Sequence, residues 1–521
     1  MRRTSPLALG VVLIMSATGC SDYLTGPGVS KDPNNVTNLT RAGPLYIGIQ
    51  AAQPVQFEGQ LARIAAEYTQ QVAGISRQSI GFDRYTMDPV TIDPYWTSVY
   101  GSNRELNGGG GLLDIRKMEQ LARKVGDSLY LGIGKIYESQ VMAMAADVWG
   151  DVPYSQAADS TNLTPIFDPQ LQVYAALQVQ LDSAINVFLP ATGPSNLGPP
   201  QDNAELVYRG LDATGLRQVY TQVAHSLKAR LYMHTAEVDP SSYAKALAEV
   251  PLGISTPAND MNWFHDATPT GNNIWWQFQT DRGDIGPGAA LIEIMTRRIA
   301  AGIEDSSRIN YYFIQATDTA NNPVGFFGFR PAGTTGLQTA AGIDPGNGSP
   351  AGSYSDFNFI NPGIDAGDFR QPQISFVETQ LIGAEAAFHV GGQAAAQPFL
   401  DAARAQRGYG ARGATPNIFP ALSSSAPATL ENIMEEKYVA LFLNMEVWND
   451  YKRTCLPSLA PTPPLGSTLP GTSPIPGRLP YGITEINANP HTPNVPPTGF
   501  NANDPNPCPP LNYTTSSPLA N

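Results

Sequence analysis

Residues 127–157 read DSLYLGIGKIYESQVMAMAADVWGDVPYSQA, and their spacing decides the fold class. Tyr130, Ile133, Tyr137, Val141, Met144 and Val148 recur in steps of three or four. That is the period of one helix face. Asp127 is a suitable N-cap, because its carboxylate can accept the unpaired backbone N–H groups of a first turn. Gly150 permits a sharp turn and Pro153 prevents continuation. The stretch therefore predicts a helix over about 127–148 with an abrupt exit.

The same pattern recurs on both sides. Asp168-Pro169 predicts a second helix start, with Val173, Leu177, Leu181, Ile185 and Phe188 on one face and Pro190 at its end. A third helix is expected over about Leu216–Ala236, and a short partner over Ser242–Val250. Trp96, Val99 and Tyr100 begin another candidate after Asp93-Pro94. Further helices are expected near Ala289–Ala300, Ile374–His389, Gln393–Arg407 and Leu430–Trp448, the last capped by Thr429 with Glu431 in its first turn. Successive amphipathic helices with short connections predict a mainly α fold of tetratricopeptide-like hairpins, an αα superhelix. From about 251 to 372 the helical period mostly fails among Gly, Asn, Pro and aromatic residues, so a loop-rich insertion is expected there. Residues 457–521 are Pro-rich and irregular.

The chain has 521 residues with 31 basic and 45 acidic side chains, a net charge of −14. An acidic chain without a basic stripe argues against nucleic-acid binding, which needs Lys and Arg for phosphates. Arg2 and Arg3 precede a short apolar run, Pro6–Met15, and then Ala17-Thr18-Gly19-Cys20. The run is too short to span a bilayer, which takes roughly 20 residues. It reads as a secretory signal, residues 1–19, ending in a sequence similar to a bacterial lipobox. Cys20 is then the lipidation site and residues 20–40 a polar tether. Acyl chains add about 0.8 kcal/mol per buried methylene, so several would hold the protein on a membrane. Cys455 and Cys508 remain as a candidate disulfide, worth about 4 kcal/mol in the chain-entropy picture. Two unpaired thiols are the alternative.

Four further stretches carry a resemblance. They are Ala146-Asp147-Val148-Trp149-Gly150-Asp151-Val152-Pro153-Tyr154, then His225-Ser226-Leu227-Lys228-Ala229-Arg230-Leu231, Trp448-Asn449-Asp450-Tyr451-Lys452-Arg453, and Pro476-Gly477-Arg478-Leu479-Pro480-Tyr481. In this order, and with Cys20, the chain resembles the SusD/RagB family of nutrient-binding outer-membrane lipoproteins. Two departures are His225 in place of the usual Asn and Glu304-Asp305-Ser306-Ser307-Arg308 in place of a tighter Asp-Pro-Arg. The resemblance implies one domain over residues 41–521, with tetratricopeptide-like helix pairs supporting a loop-rich ligand-binding half. It implies a TonB-dependent (SusC-like) transporter as partner, a lipid-anchored place on the outer membrane facing outwards, and binding of oligosaccharides or other nutrients without catalysis. Ser21 in place of Asp fits outer-membrane sorting.

Sugars have apolar faces and hydroxyl rims, so their sites use aromatic platforms flanked by polar groups. Aromatics in the insertion are the candidates: Trp263, Phe264, Trp275, Trp276, Tyr311 and Tyr312. Packing of the insertion against the helices is the alternative for each. An extended chain would point Trp275 and Trp276 to opposite faces. Trp96 and Trp448 lie on helix stripes and are expected to be buried. Lys228 and Arg230 are expected to meet carboxylates, and Arg453 to brace the helix end near Trp448. Asp281 with Asp284 and Glu304 with Asp305 read as solvated loop charges. The five histidines form no His-Glu-x-x-His pattern, and there is no Gly-x-Ser-x-Gly elbow or phosphate loop. No cofactor or metal is expected. An extracellular glycan hydrolase is the enzymatic alternative, since two carboxylates can converge in space. A structural or adhesive surface protein is the third reading.

Overall fold

In the computed structural model the decisive stretch forms a helix over Ser128–Trp149, capped by the Asp127 carboxylate on the N–H of Tyr130. The structure describes residues 41–101, 109–159, 161–193, 195–197, 204–331, 354–358, 367–412, 415–422, 426–459, 462 and 475–493. The expected signal peptide and tether, with Cys20, and the end of the Pro-rich segment, with Cys508, lie outside these residues. Beyond Ala42 the chain forms one compact unit, Gly43–Asn521, with the loop-rich segment inside it.

Among the described residues five helices precede the decisive one: α1 (Ala42–Phe57), α2 (Gln60–Tyr68), α3 (Arg77–Asp83), α4 (Pro89–Tyr100) and α5 (Leu112–Val125). The decisive helix is α6, followed by α7 (Gln170–Ser183), α8 (Ala213–Thr235) and α9 (Ser241–Glu249). The loop-rich part contributes α10 (Ile274–Asp281), α11 (Ala289–Ala300) and α12 (Ser307–Tyr312). The scaffold resumes with α13 (Phe376–Gly391), α14 (Gln393–Ala405), α15 (Leu430–Ala440) and α16 (Glu446–Thr454), and a short α17 (Ile483–Ala488) follows. Helix α5 packs on α6, α6 on α7, α8 on α9 and α13 on α14, the stacked hairpins expected from the periodicity. Ala229, Ala236, Ala246 and Ala386 lie where α8, α9 and α13 meet, with Met233, Tyr243 and Ile382 filling the space between them. Among the described residues no helix is long and apolar enough to cross a membrane.

Helix α6 is buried on every side from Leu129 to Trp149, not along one stripe. Several of its polar side chains are matched, as burial favours. Lys135 donates to Gln180 at 2.7 Å, Glu138 pairs with Arg116 at 3.0 Å, and Asp147 accepts the Tyr174 hydroxyl at 2.6 Å. Gly150 has φ 82 and ψ −118, a conformation that a side chain would strain. The C-terminal Pro-Gly-Arg-Leu-Pro-Tyr stretch lies over that turn. The Leu479 N–H donates to Val148 O at 2.8 Å, Trp149 Nε1 to Pro480 O at 2.9 Å, and Arg478 to Trp149 O at 2.9 Å. Two stretches read separately in the sequence thus form one structural clamp.

Several local expectations change. The cap of α7 is not Asp168, because Asp151 Oδ1 accepts the Gln170 N–H at 2.9 Å. Asp168 instead accepts the N–H groups of Tyr154 and Ser155 at 2.9 and 2.7 Å. The two carboxylates serve each other's turn across an antiparallel bridge between Val152 and Asp168. A π-turn over Ala184–Phe188 shifts the α7 stripe, so that Ala184 and Leu189 are buried in place of Ile185 and Phe188. The helix expected over 430–448 is two, because Leu443 adopts φ 62 and its N–H donates to Gln71 Oε1. Burial of Leu441, Phe442, Leu443 and Met445 hides this break from a periodicity reading.

The strands are short. β1 (Val72–Gly74) pairs with β3 (Ile285–Pro287), and β2 (Met261–Asn262) pairs with β9 (Pro372–Ile374). β4 (Phe313–Ile314) pairs with β7 (Asp356–Phe357), and β5 (Ala316–Thr317) with β6 (Pro323–Gly325). β8 (Phe369–Arg370), β10 (Gly408–Arg412) and β11 (Thr415–Ile418) make a three-stranded antiparallel sheet in the order 11-10-8. The β2–β9 ladder continues through Trp263 N–H to Gln371 O at 3.1 Å, which brings Phe264 beside Arg370.

Candidate functional site

The structure separates the six candidate aromatics. Trp263 is wholly buried, stacked on Phe57 at 5.6 Å, with its indole N–H donating to Gln373 Oε1 at 3.2 Å. Tyr312 is buried, stacked on Phe442 at 4.7 Å, and its hydroxyl donates to Val439 O. Trp275 is buried at the start of α10 and Trp276 half-buried beside it. The two are on a helix and not extended, because Asn273 Oδ1 caps both of their N–H groups at 3.0 Å. Tyr311 is half-buried, its ring packed edge-on against Phe419 at 5.1 Å. Trp263, Trp275 and Tyr312 are therefore core and not platforms. Trp263→Ala is expected to cost about 3–5 kcal/mol of stability, the range for a buried aromatic. A urea midpoint lowered by less than about 1 kcal/mol equivalent would contradict that placement.

Phe264 is different. It is half-buried, and two guanidinium groups lie over its ring, Arg370 at 4.6 Å and Arg209 at 5.3 Å from the centroid. Both arginines line a cavity of about 220 Å³ together with Tyr208, Asn259, Asp260, Asn262 and Pro416. The cavity is smaller than the ~300–1,000 Å³ of a drug-sized site, so it suits one ring of a longer ligand. Its walls are fixed from several elements. The Tyr208 hydroxyl donates to Asn259 O at 2.9 Å, and Asp260 Oδ1 accepts the Phe376 N–H at the start of α13 at 2.6 Å. Burial pushes the Asp260 carboxyl well up. Burial, and then Arg209, push the Arg370 guanidinium down. Asn262 Oδ1 is buried and accepts no hydrogen bond from the protein. A second, wider concavity of about 670 Å³ lies between Leu113, Arg116, Lys117, Gln120 and the 155–162 loop. It has no aromatic residue in its lining, so it offers no stacking surface for a sugar ring.

Arginines 209 and 370 escaped the sequence reading because they lie 55 or more positions from Phe264 on both sides. Only the β2–β9 ladder and the loop before α8 bring them together. Two acidic pairs read as solvated charges are corrected as well. Asp281 is exposed, but Asp284 is buried and accepts Ser76 Oγ at 2.6 Å and Arg77 at 2.9 Å. Glu304 is fully buried between Arg308 and Arg407, and Asp305 pairs with Arg407 at 2.8 Å. The basic residues behave as expected. Lys228 meets Asp182 and Glu249, Arg230 meets Glu378 at 2.6 Å, and Arg453 meets Glu385 and Asp450, each at 2.6 Å. Trp96 and Trp448 are buried. Cys455 is disulfide-bonded, and Cys508, its expected partner, lies outside the described residues.

Among the described residues, Asp147, His234 and Glu446 converge closely enough to hold a cation. Their chemistry fits a proton better. Burial alone would lower the His234 imidazole, but Asp147 and Glu446 outweigh it and raise it to about 9. His234 is thus an imidazolium, 3.0 Å from Asp147 and 2.9 Å from Glu446, and it supplies the positive charge itself.

Comparison with known proteins agrees with this architecture. The family profile SusD-like, described as "Starch-binding associating with outer membrane", matches residues 33–482. A SusD/RagB family protein from Bacteroides thetaiotaomicron superposes with a TM-score of 0.61 at 18% identity, over 87% of this chain and 95% of that one. A SusD homologue from Bacteroides fragilis gives 0.61 at 16% identity, over 87% and 94%. A chitin-binding protein gives 0.59 at 18% identity, over 80% and 88%. No curated protein matches at a significant level. At these identities the structures share the fold alone, while the profile spans most of the chain: the protein belongs to the SusD-like family.

Proposed function

We propose that the protein captures oligosaccharides at the outer face of the outer membrane and delivers them to a TonB-dependent, SusC-like transporter without altering them. Cys20 would hold it there through its acyl chains, and a Cys455–Cys508 disulfide would staple the Pro-rich end. The observation that carries the reading is the cavity lined by Arg209, Arg370, Asn262 and Tyr208, with the Phe264 ring under both guanidiniums. An aromatic face with hydrogen-bonding groups around it is the arrangement that a sugar ring needs. Half-exposed Trp276 provides a second aromatic surface in the same loop-rich half.

Calorimetric titration of the full-length lipoprotein in detergent with a panel of oligosaccharides tests this. Saturable heat is expected with at least one, and chromatography of the mixture should show the ligand intact. Phe264→Ala is expected to weaken binding about tenfold, the equivalent of one lost stacking contact. Shortened products would turn the reading towards a hydrolase. Undiminished affinity in the Phe264 variant would move the site elsewhere.

A further inference from the structure

Among the described residues, six of the buried arginines face carboxylates: Arg230, Arg298, Arg308, Arg404, Arg407 and Arg453. At the candidate cavity the exposed Arg209 and the half-buried Arg370 have no such pair. Among the described residues no carboxylate lies within ion-pair distance of Arg209 or Arg370. Arg370 Nε donates to the carbonyl of His265 at 3.4 Å, and the side chain lines the cavity. Asp266 and Asp368 are the acids Arg370 senses, both from beyond ion-pair range. With both guanidiniums over one ring, the two charges lie within about 10 Å of each other. That is about one Debye length at 0.1 M salt, so they repel.

We infer that the cavity beside Phe264 recognises an acidic sugar, with Arg209 and Arg370 receiving the carboxylate of a uronic-acid residue while the ring of that residue packs on Phe264. This inference rests on the glycan-capture reading and narrows its ligand class. The planar guanidinium fork matches a carboxylate with two parallel hydrogen bonds, and two such forks repelling each other gain most from an anion between them. The acid in the lining does not oppose this, because burial shifts Asp260 toward its neutral form and its Oδ1 already accepts Phe376 N–H. The cavity of about 220 Å³ leaves room for one such residue, with the rest of the oligosaccharide outside.

The test titrates the full-length protein in detergent with oligogalacturonides, alginate oligomers, carboxyl-reduced oligogalacturonides of the same length, and a sulfated neutral oligomer. At least one carboxylated series is expected to bind tenfold or more tightly than its carboxyl-reduced form, and more tightly than the sulfated one. Arg370→Met and Arg209→Met should each lose about tenfold for the acidic ligand and clearly less for its carboxyl-reduced form, with thermal melting confirming that they fold. Equal binding of acidic and reduced forms overturns the inference, as does failure of both carboxylated series to bind. If a neutral glycan binds and only Phe264→Ala weakens it, the capture reading stands and the acidic preference falls. If Phe264→Ala changes nothing for any ligand, the site itself is wrong. Preference for the sulfated oligomer would assign the arginines to sulfate and also overturn the carboxylate.

Discussion

Glu436→Gln is expected to destabilise the protein by about 3–5 kcal/mol, the cost of removing one member of a buried ion cluster. Three guanidiniums converge on this one carboxylate: Arg308 at 2.6 Å, Arg404 at 2.9 Å, and Arg298. Glu435 pairs with Arg297 and Arg298, while Glu304 pairs with Arg308 and Arg407. The cluster ties α11, α12, α14 and α15 together and so anchors the loop-rich half to the helical scaffold. Burial alone would raise the Glu436 carboxyl, but Arg308, Arg298 and Arg404 outweigh it and hold it at about 2. A carboxyl depressed in the folded state stabilises fully above its ordinary value near 4.5. That contribution fades as the pH falls toward 2. Urea unfolding at pH 7 should show the lowered midpoint, and the difference between wild type and variant should shrink on acidification. Glu293→Gln serves as the contrast. Its pair with Arg330 is half-exposed, so the change should stay below about 1 kcal/mol. Equal effects of the two substitutions would refute the account.

The second large effect concerns His234 and has the opposite sign in pH. Its imidazolium bridges Asp147 of α6 and Glu446 of α16, with the Tyr174 hydroxyl of α7 on Asp147 and Arg230 of α8 at 3.6 Å from Glu446. The group is raised from 6.5 to about 9 in the folded protein. Its stabilisation is therefore complete below about pH 6.5 and is lost as the pH rises through about 9. At ~1.4 kcal/mol per pH unit the loss is about 3 kcal/mol. Urea midpoints measured between pH 6 and 10 should fall across this window in the wild type. His234→Gln should be less stable at pH 6 and should lack that part of the decline. A variant whose pH profile parallels the wild type would show that the triad does not carry the proton.

The scaffold was legible because its helices announce themselves locally. The helix over Tyr130 to Val148, the Asp127 and Thr429 caps and the stop at Gly150 each follow from a few neighbouring residues, and each holds in the structure, although that helix is buried on every side and not along one stripe. Where a remote partner intervened, the local rule failed. Asp151 displaced Asp168 as the cap of α7, and Gln71 held open the break at Leu443 that periodicity had bridged. Burial also reversed readings based on residue type, since Trp263, Trp275 and Tyr312 lie inside and Glu304 and Asp284 are core charges.

The sequence by itself determined that this is a chain of stacked helical hairpins with a loop-rich insertion, because helix periodicity and capping are short-range properties. The order of its motifs was enough to point to the family. Only the tertiary structure decided which aromatic lies under the two guanidiniums that line a cavity. Phe264, Arg209 and Arg370 come together through strand pairing between distant segments. A long-range ladder leaves no mark on the residues it joins, so that meeting cannot be read from their spacing along the chain.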